Sequence, residues 1–289
     1  RASTTQIRYL TYGNSIMKHG PNEKLGWSGN WGMAASAPEK DYLHRLIAAF
    51  KNKYGDDNVV QEFGTSQTNW ENGITASDAT NKDYSYMIDP MREDFRTFKP
   101  NVVTLQMGEN GAAGISQAQY ENIMRQIVTM FKEEAPDATI VITTPFWGGY
   151  ARVNGALKVA KELNVRIAQL DTLNSEENKA IGLFEHNGVA IHPGDLGMER
   201  IANLFYEQIN AERSETETIT YTNFPASLTI TGSERTITEE NGTLALAAEI
   251  LPADADQTVD WSVDNRYIAE IDKNGVLTAL NNGTVKVRA

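Results

Sequence analysis

The chain has 289 residues, 40% of them hydrophobic, and a net charge of −12. This apolar fraction is typical of a folded protein, and the negative charge disfavours nucleic acid as a partner because phosphate repels it. The sequence contains no cysteine, which excludes disulfides, thiolate catalysis and Cys-ligated zinc. It also lacks an apolar run of about 18 residues that would predict a membrane span. Because the chain begins with Arg1 rather than Met, we expect that a signal peptide has been removed.

Acidic residues are concentrated towards the C-terminal end. Residues 214–289 carry 12 Asp or Glu and five Lys or Arg, a net charge of −7, whereas the first 213 residues carry the remaining −5. This asymmetry predicts two units. We place a first domain at residues 1–213, a linker or first edge strand at 214–223, and a second domain at 224–289.

The first domain alternates apolar strands with amphipathic helices. Its opening strand, residues 9–12, is β-branched and aromatic, and stops at the turn Gly13-Asn14-Ser15. Further strands are predicted at residues 59–63, 102–107, 138–143 and 165–170, and helices at about 38–55, 86–98, 116–134, 151–163 and 195–210. Residues 65–83 are polar and aperiodic, which predicts loop with short helical pieces. The alternation implies an α/β fold with a mostly parallel sheet, helices on both faces, and an active site at the carboxyl ends of the strands.

The second domain has a different pattern. Short alternating runs occur at residues 227–230, 244–250, 259–263, 268–271 and 284–287, and Asn-Gly turns separate several of them. Short strands at this spacing predict an all-β sandwich.

Ser15 is a candidate nucleophile because it follows a strand, where a hydroxyl stands free of the sheet. The alternative is an ordinary turn, since Gly, Asn and Ser are common turn residues. A candidate base comes from the other end of the domain. Pro193 disfavours helix at His192 and so places this imidazole on a loop before the last predicted helix. A lone loop histidine is usually structural, but paired with a post-strand serine it becomes a candidate general base.

Two further features belong to the same predicted edge of the sheet. Asn110 follows the strand at 102–107, where its amide is a candidate oxyanion donor or a turn cap, and these two roles are compatible. Trp27 and Trp31 lie in a glycine-rich loop after Ser15. Their rings either form a sugar-binding wall or pack the loop down.

Three motifs, in this order, resemble the SGNH hydrolase (GDSL esterase/lipase) family over roughly residues 5–212: Gly13-Asn14-Ser15-Ile16, Gly108-Glu109-Asn110 and His192-Pro193. The resemblance implies a flavodoxin-like three-layer α/β/α sandwich with a parallel sheet. It also implies hydrolysis of an ester, with Ser15 as the nucleophile, His192 as the general base and Asn110 as an oxyanion donor.

Residues 224–289 resemble a bacterial immunoglobulin-like domain of group 2. The resemblance lies in a Pro-x-x-Leu start and in the segments Trp261-Ser262-Val263 and Asn274-Gly275-Val276-Leu277-Thr278-Ala279. It implies a small all-β sandwich in a secreted or surface-attached (cell-surface or periplasmic) bacterial protein. We expect this domain to contact the cell surface or a glycan.

The first domain departs from the SGNH pattern at its first two motifs. Asn14 replaces the usual Asp, which keeps the hydrogen-bonding shape but loses the charge, so we expect a tuned site. Gln67 replaces the glycine whose N–H helps to build the oxyanion hole. The N–H of Gln67 or that of Gly64 is therefore the expected substitute.

Val189 is the third departure, because it stands where the family places an aspartate three residues before the histidine. That carboxylate normally fixes the tautomer of the imidazole and stabilises its charged form. Two groups are candidates to replace this carboxylate. A backbone carbonyl accepts the Nδ1 proton, which leaves a Ser–His dyad and is the favoured interpretation, or Glu185 reaches the ring from seven residues upstream.

These residues predict a serine esterase for short-chain, chiefly acetyl, esters on carbohydrate. One alternative is a catalytically impaired glycan-binding or adhesive surface protein on a hydrolase scaffold, and another is a lipase or thioesterase. The expected partner is a small-molecule or polysaccharide ester. We expect no metal or other cofactor, because the sequence has no His-x-x-x-His motif or carboxylate cluster with ligand spacing.

Overall fold

A computed structural model describes residues 6–64, 70–211, 227–232, 236–239, 241–251, 253, 257 and 259–289. The chain divides into two compact units, residues 1–219 and 220–289. The predicted linker at 214–223 lies outside the described residues, which resume at 227. Within the described part of the chain, no helix is both long and apolar enough to span a bilayer.

Five parallel strands form the sheet of the first unit, in the order β2-β1-β3-β4-β5. They are β1 (Ile7–Gly13), β2 (Val59–Phe63), β3 (Val102–Gln106), β4 (Thr139–Thr143) and β5 (Arg166–Ala168). This order is that of the flavodoxin-like doubly wound sheet, so the predicted fold is confirmed. Its switch point lies between β1 and β3, and Ser15 and Asn110 follow these two strands.

The helices of this unit are α1 (Tyr42–Tyr54), α2 (Trp70–Gly73), α3 (Ser85–Phe98), α4 (Gln117–Glu134), α5 (Tyr150–Glu162), α6 (Asn187–Ala190) and α7 (Asp195–Asn210). Asp41 caps α1 by accepting a hydrogen bond from the His44 N–H. Ser116 and Gln119 form a capping box at the start of α4. The polar residues before each apolar stripe therefore fix where these helices begin.

Helices cover both faces of the sheet. Tyr9 meets Phe50 of α1 edge-on, with ring centroids 5.7 Å apart. Tyr12, three residues later on the opposite face, stacks on Phe131 of α4 at 5.4 Å. Buried residues from α1, α7 and the strands share one hydrophobic core, while α3, α4 and α5 pack in sequence on one another. The first unit is thus a three-layer α/β/α sandwich.

The predicted strands and long helices of this unit are confirmed, with small differences. The strand predicted at 165–170 ends at Ala168, and a 3₁₀ turn takes over at Leu170–Leu173. Helix α2 lies in the stretch predicted as loop with short helical pieces. The single-turn helix α6 was not predicted, because four residues are too few for a periodic pattern.

The second unit consists of short antiparallel strands. They are β6 (Ser227–Thr231), β7 (Thr243–Ala245), β8 (Ala247–Leu251), β9 (Ser262–Val263), β10 (Ala269–Ile271), β11 (Val276–Ala279) and β12 (Val287–Arg288). They pair as β10-β11-β7, β12-β9 and β6-β8. The run predicted at 244–250 is split: the N–H of Leu246 donates to the Gly275 carbonyl, 2.9 Å away, and the chain passes from one sheet to another. Strand β11 was not predicted as a strand.

Candidate active site

Ser15 lies on the turn that directly follows β1. The turn is closed by the Met17 N–H, which donates to the Asn14 carbonyl at 3.0 Å. Ser15 is half-buried, and its Oγ lies 2.8 Å from Nε2 of His192. The structure therefore brings the predicted nucleophile and the predicted base into hydrogen-bond contact.

His192 is held from several sides at the turn after α6. Its N–H donates to the Val189 carbonyl at 2.9 Å, and its own carbonyl accepts from the Ala180 N–H at 3.0 Å. The indole of Trp147 stands edge-on to the imidazole, with ring centroids 4.9 Å apart. The same indole donates its Nε1–H to the Ile191 carbonyl at 3.1 Å. The ring is thus fixed by backbone and by one aromatic neighbour, with 7% of the residue exposed.

The second nitrogen of the imidazole meets a backbone carbonyl. Nδ1 of His192 lies 2.6 Å from the oxygen of Gly188. Because a carbonyl only accepts, Nδ1 carries the proton and the Nε2 lone pair faces Ser15. Glu185, the other predicted orienter, is exposed and does not take this position. The geometry is that of a backbone-held Ser–His pair.

Burial lowers the pKa of His192 to about 4. The hydrogen bond from Nδ1 to Gly188 acts in the opposite direction, and nearby His19 lowers the pKa slightly further. Burial dominates because the charged imidazolium would lose its hydration without gaining a counterion. The imidazole is therefore neutral, the form that a general base requires, from mildly acidic pH upwards.

Val189 is fully buried in an apolar cluster with Trp27, Met33, Ala34 and Ala180. The position where the resemblance places an aspartate is therefore part of a small hydrophobic core. Trp27 is only 4% exposed and meets Trp31 edge-on at 5.6 Å. Its ring packs the loop down, which is the second of the two alternatives stated for it.

Two other indoles keep part of their surface exposed. Trp31 is half-buried and donates its Nε1–H to the Ala35 carbonyl at 2.9 Å. Trp147 follows β4 and contacts His192 directly. Of the two, Trp147 is the aromatic side chain that touches the Ser–His pair.

Asn110 is exposed on the loop after β3 and is anchored by Glu71. The backbone N–H of Asn110 donates to Glu71 Oε1 at 3.2 Å, and its Nδ2 donates to Oε2 at 3.1 Å. Glu71, on α2, is 2% exposed and also accepts the Gly108 N–H. A side-chain amide has two N–H donors. Glu71 fixes one of them, and the other is the candidate donor to an oxyanion.

Glu109 turns back towards the Ser15 turn. Its Oε2 accepts from Asn14 Nδ2 at 2.5 Å, and its Oε1 accepts from the Phe146 N–H at 2.9 Å and from Gln106 Nε2 at 3.1 Å. Asn14 Nδ2 also lies 3.4 Å from Glu71 Oε1. Burial, followed by the charge of Glu71, raises the pKa of Glu109 to about 7.

Arg152, on α5, fastens the loop that carries these groups. Its Nη1 donates to the carbonyls of Gly108 at 3.0 Å and Glu109 at 2.9 Å, and its Nη2 donates to that of Ala112 at 3.2 Å. The guanidinium thus holds the loop by its backbone. It also brings one positive charge to a region with two carboxylates.

Gly64, a predicted oxyanion donor, has its N–H engaged elsewhere. This N–H donates to the Thr11 carbonyl at 2.9 Å and continues the β1–β2 ladder. A Cβ at position 64 would stand 1.9 Å from the ring of Tyr12, so only glycine fits against this buried tyrosine. Gln67, the other predicted donor, lies outside the described residues.

Four side chains near the Ser–His pair had no role in the sequence prediction: Glu71, Glu109, Trp147 and Arg152. Glu109 and Trp147 both follow strands, so the rule that sites lie at strand ends was a usable signal for them. Glu71 lies in the aperiodic stretch, which gave no signal. Within the described residues, no group of three or more His, Cys, Asp or Glu is arranged to hold a metal ion.

Comparison with known families and sequences identifies the second unit. Residues 226–289 match the bacterial Ig-like domain (group 2) family. This match confirms the resemblance stated for that unit and agrees with its antiparallel strands. No curated protein matches the chain in sequence.

Solved structures similar to the chain include several esterases. A mutant of an acetyl-xylooligosaccharide esterase from Geobacillus is 16% identical, with 74% of this chain and 100% of that chain covered and a TM-score of 0.45. An α/β hydrolase enzyme from the metagenome of Lake Arreo, Spain, is 16% identical over 71% and 96%, with a TM-score of 0.44. A two-domain esterase active on acetylated mannans is 12% identical over 83% and 60%, with a TM-score of 0.43.

At these identities and TM-scores, the likenesses carry no weight for the activity of this chain. The strand order of the first unit and the family match of residues 226–289 do not depend on these likenesses. The chain therefore joins a unit of flavodoxin-like topology to a segment, residues 226–289, that matches the bacterial Ig-like domain (group 2) family.

Proposed function

We propose that the first unit is a serine carboxylic ester hydrolase in which Ser15 is the nucleophile and His192 the general base. The observation that carries the proposal is the 2.8 Å contact between Ser15 Oγ and His192 Nε2, with Nδ1 held 2.6 Å from the Gly188 carbonyl. A serine hydroxyl becomes a useful nucleophile when a neutral, oriented imidazole accepts its proton. The low pKa of His192 keeps the imidazole in this neutral form.

In the proposed reaction, Ser15 Oγ adds to the ester carbonyl carbon while its proton passes to His192 Nε2. The tetrahedral intermediate expels the alcohol, which takes that proton, and an acyl-serine remains. Water then adds to the acyl group with His192 as the base. Collapse of the second intermediate releases the carboxylic acid and restores the Ser15 hydroxyl.

The negative charge on the intermediate requires a donor. We assign this role to the second N–H of Asn110, because Glu71 holds the first at 3.1 Å and so fixes the plane of the amide. Removing one side-chain oxyanion donor in a hydrolase typically costs about 3–4 kcal/mol of transition-state stabilisation.

For the substrate, we propose a short acyl group, chiefly acetyl, carried on a carbohydrate. The support is the partly exposed ring of Trp147 beside His192, since an indole face packs well on a sugar ring. The attached Ig-like domain supports a secreted or cell-surface protein, in which that domain contacts the cell surface or a glycan.

The direct test measures hydrolysis of p-nitrophenyl acetate by the whole chain and by single variants. Ser15→Ala and His192→Ala should each lose at least about 10³-fold in kcat, because both act in the proton-transfer step. The matched control is Ser28→Ala, which removes an exposed serine hydroxyl from the following loop and should keep wild-type activity. No turnover by the wild type on any short acyl ester would contradict the proposal.

A second assay separates acetyl esters from long-chain esters. p-Nitrophenyl esters from acetate to palmitate should give the highest kcat/KM at acetate, and an acetylated polysaccharide should release acetate. A maximum at eight carbons or more would favour the lipase or thioesterase alternative. Saturable glycan binding that Ser15→Ala leaves unchanged, in a chain without turnover, would favour the impaired, glycan-binding alternative.

A further inference from the structure

The turn that carries Ser15 and the loop that carries Asn110 are joined through two carboxylates. Glu71 accepts from the Asn110 amide on one side, and Glu109 accepts from the Asn14 amide on the other. Asn14 Nδ2 lies within 3.4 Å of an oxygen of each carboxylate. One neutral amide, next to the nucleophile, therefore bridges two acidic side chains.

We propose that Glu71 and Glu109 form the positioning pair of this site, that is, the two carboxylates that hold its reactive groups in place. The neutral amide of Asn14 is the bridge between them, and it fixes the position of the Ser15 turn relative to Asn110. The inference rests on the proposed function. Glu71, Glu109 and Asn14 are positioning residues, because they act through Ser15 and Asn110.

Glu71 fixes the donor half of the site. Its Oε1 accepts the backbone N–H groups of Gly108 and Asn110, and its Oε2 accepts Asn110 Nδ2. Glu71 is 2% exposed, so these hydrogen bonds replace the hydration of a buried carboxylate. Asn110 is exposed and has this anchor to set its orientation.

Glu109 fixes the nucleophile half, and its two oxygens have separate partners. Oε1 accepts from the Phe146 N–H and Gln106 Nε2, whereas Oε2 accepts from Asn14 Nδ2. Both partners of Oε1 are N–H groups, which only donate, so this oxygen must accept. The partner of Oε2 is a side chain, so the donor at position 14 and the acceptor at position 109 can be exchanged together by mutation.

The bridge explains why residue 14 is not an aspartate. A carboxylate there could only accept, and would bring a further negative charge 2.5 Å from Glu109 and 3.4 Å from Glu71, where the amide now donates. Like charges at such distances are strongly unfavourable in a partly dry site. Asn14 is therefore the partner that these two glutamates require.

The test is a double-mutant cycle at positions 14 and 109. Asn14→Asp restores the commoner residue of the resembled family, yet it should lower kcat by at least about 10-fold. Glu109→Gln should lower kcat by a similar factor, because its new amide donor faces the Asn14 donor. The pair N14D/E109Q exchanges donor and acceptor, while the amide oxygen introduced by E109Q still accepts from Phe146 and Gln106. Its kcat should return to within about 3-fold of wild type.

Two further measurements keep the test decisive. If Asn14→Asp does not fold, as judged by circular dichroism, Glu71→Gln tests the other half: it removes the acceptor for Asn110 Nδ2 and should lower kcat at unchanged KM. Glu39→Gln, which neutralises an exposed glutamate, is the control and should keep the wild-type kcat.

The outcomes separate this inference from the proposed function. If Ser15→Ala is inactive but the kcat losses of Asn14→Asp and Glu109→Gln combine without recovery in N14D/E109Q, the positioning pair is refuted, while the proposed hydrolase function is retained. If Asn14→Asp is as active as wild type, the pair is also refuted. If Ser15→Ala retains full activity, the proposed function fails, whatever the cycle gives.

Discussion

The carbonyl oxygen of Gly188 accepts the Nδ1 proton of His192 across 2.6 Å, at the place that a carboxylate takes in a Ser–His–Asp triad. A carbonyl fixes the tautomer as well as a carboxylate does, but it brings a dipole in place of a full charge. The charged form of the imidazole is therefore less stabilised, and burial dominates the pKa of His192.

The acid limb of the pH–rate profile should lie near pH 4, well below the value of an ordinary histidine. Protonated His192 cannot accept the Ser15 proton, and burial lowers the pKa of His192 to about 4. kcat/KM for p-nitrophenyl acetate, measured from pH 3 to pH 7, should fall only below about pH 5. A limb centred near pH 6.5 would show that the imidazole is solvated or paired with a carboxylate.

The same pKa makes His192 destabilise the fold in acid. Between pH 6.5 and 4 the unfolded chain binds a proton at this residue and the folded chain does not, so stability falls as the pH falls. Relative to His192→Gln, the wild type should lose about 3 kcal/mol in free energy of unfolding when the pH falls from 7 to 4. Urea denaturation at the two pH values measures it, and an unchanged difference would contradict the low pKa.

Val189→Asp should not restore a triad. Residue 189 is surrounded by Trp27, Met33, Ala34 and Ala180, so a carboxylate there would be buried without a partner. We expect a loss of about 3 kcal/mol in free energy of unfolding at pH 7, and a smaller loss at pH 4 where the carboxyl is neutral. Val189→Thr, of similar shape and uncharged, is the control. A gain in kcat in Val189→Asp would mean that the carboxylate reaches His192.

Trp147→Phe should lower activity by loosening His192. The change keeps an aromatic ring but removes the hydrogen bond from Nε1 to the Ile191 carbonyl. We expect a loss of about 1 kcal/mol in stability and a several-fold lower kcat. Trp31→Phe is the matched control, because it loses an equivalent hydrogen bond, to the Ala35 carbonyl, without touching the imidazole. Equal kcat in the two variants would argue against a role for Trp147.

Gly64→Ala should destabilise the first unit by about 3 kcal/mol, because the added methyl overlaps the ring of Tyr12 in a packed core. Gly20→Ala, where nothing lies within 4 Å of the added Cβ, is the control and should be nearly neutral. Thermal unfolding of the two variants measures the difference. Equal melting temperatures would mean that β2 and Tyr12 separate more easily than the structure indicates.

Much of the fold follows from the sequence because its signals are local. The apolar runs at 102–107 and 138–143 and the capping serine at 116 are properties of single segments, and they predicted β3, β4 and the start of α4. The placement of Ser15 and Asn110 followed from the rule that strand ends meet at one edge of the sheet, and Pro193 placed His192 on a loop before the last helix. The resemblance then supplied roles for residues that periodicity alone leaves as turns.

What the sequence could not give depends on packing across the chain. Trp27 lies in a polar, glycine-rich stretch that would also suit an exposed aromatic residue. It is buried in a cluster that includes Ala180 and Val189, which are more than 150 residues away along the chain. Glu71 lies in a stretch without periodicity, yet the fold places it beneath Asn110. A backbone carbonyl was the predicted partner of the His192 Nδ1, but every residue has one, so no side-chain pattern could mark Gly188.

Labelling with a fluorophosphonate, followed by peptide mapping by mass spectrometry, tests the central claim most directly. At pH 6 the account predicts one adduct per chain, on Ser15, with none in Ser15→Ala and a much slower reaction in His192→Ala. An unlabelled wild-type protein, or an adduct on another serine, would contradict the assignment of Ser15 and His192 as a catalytic pair.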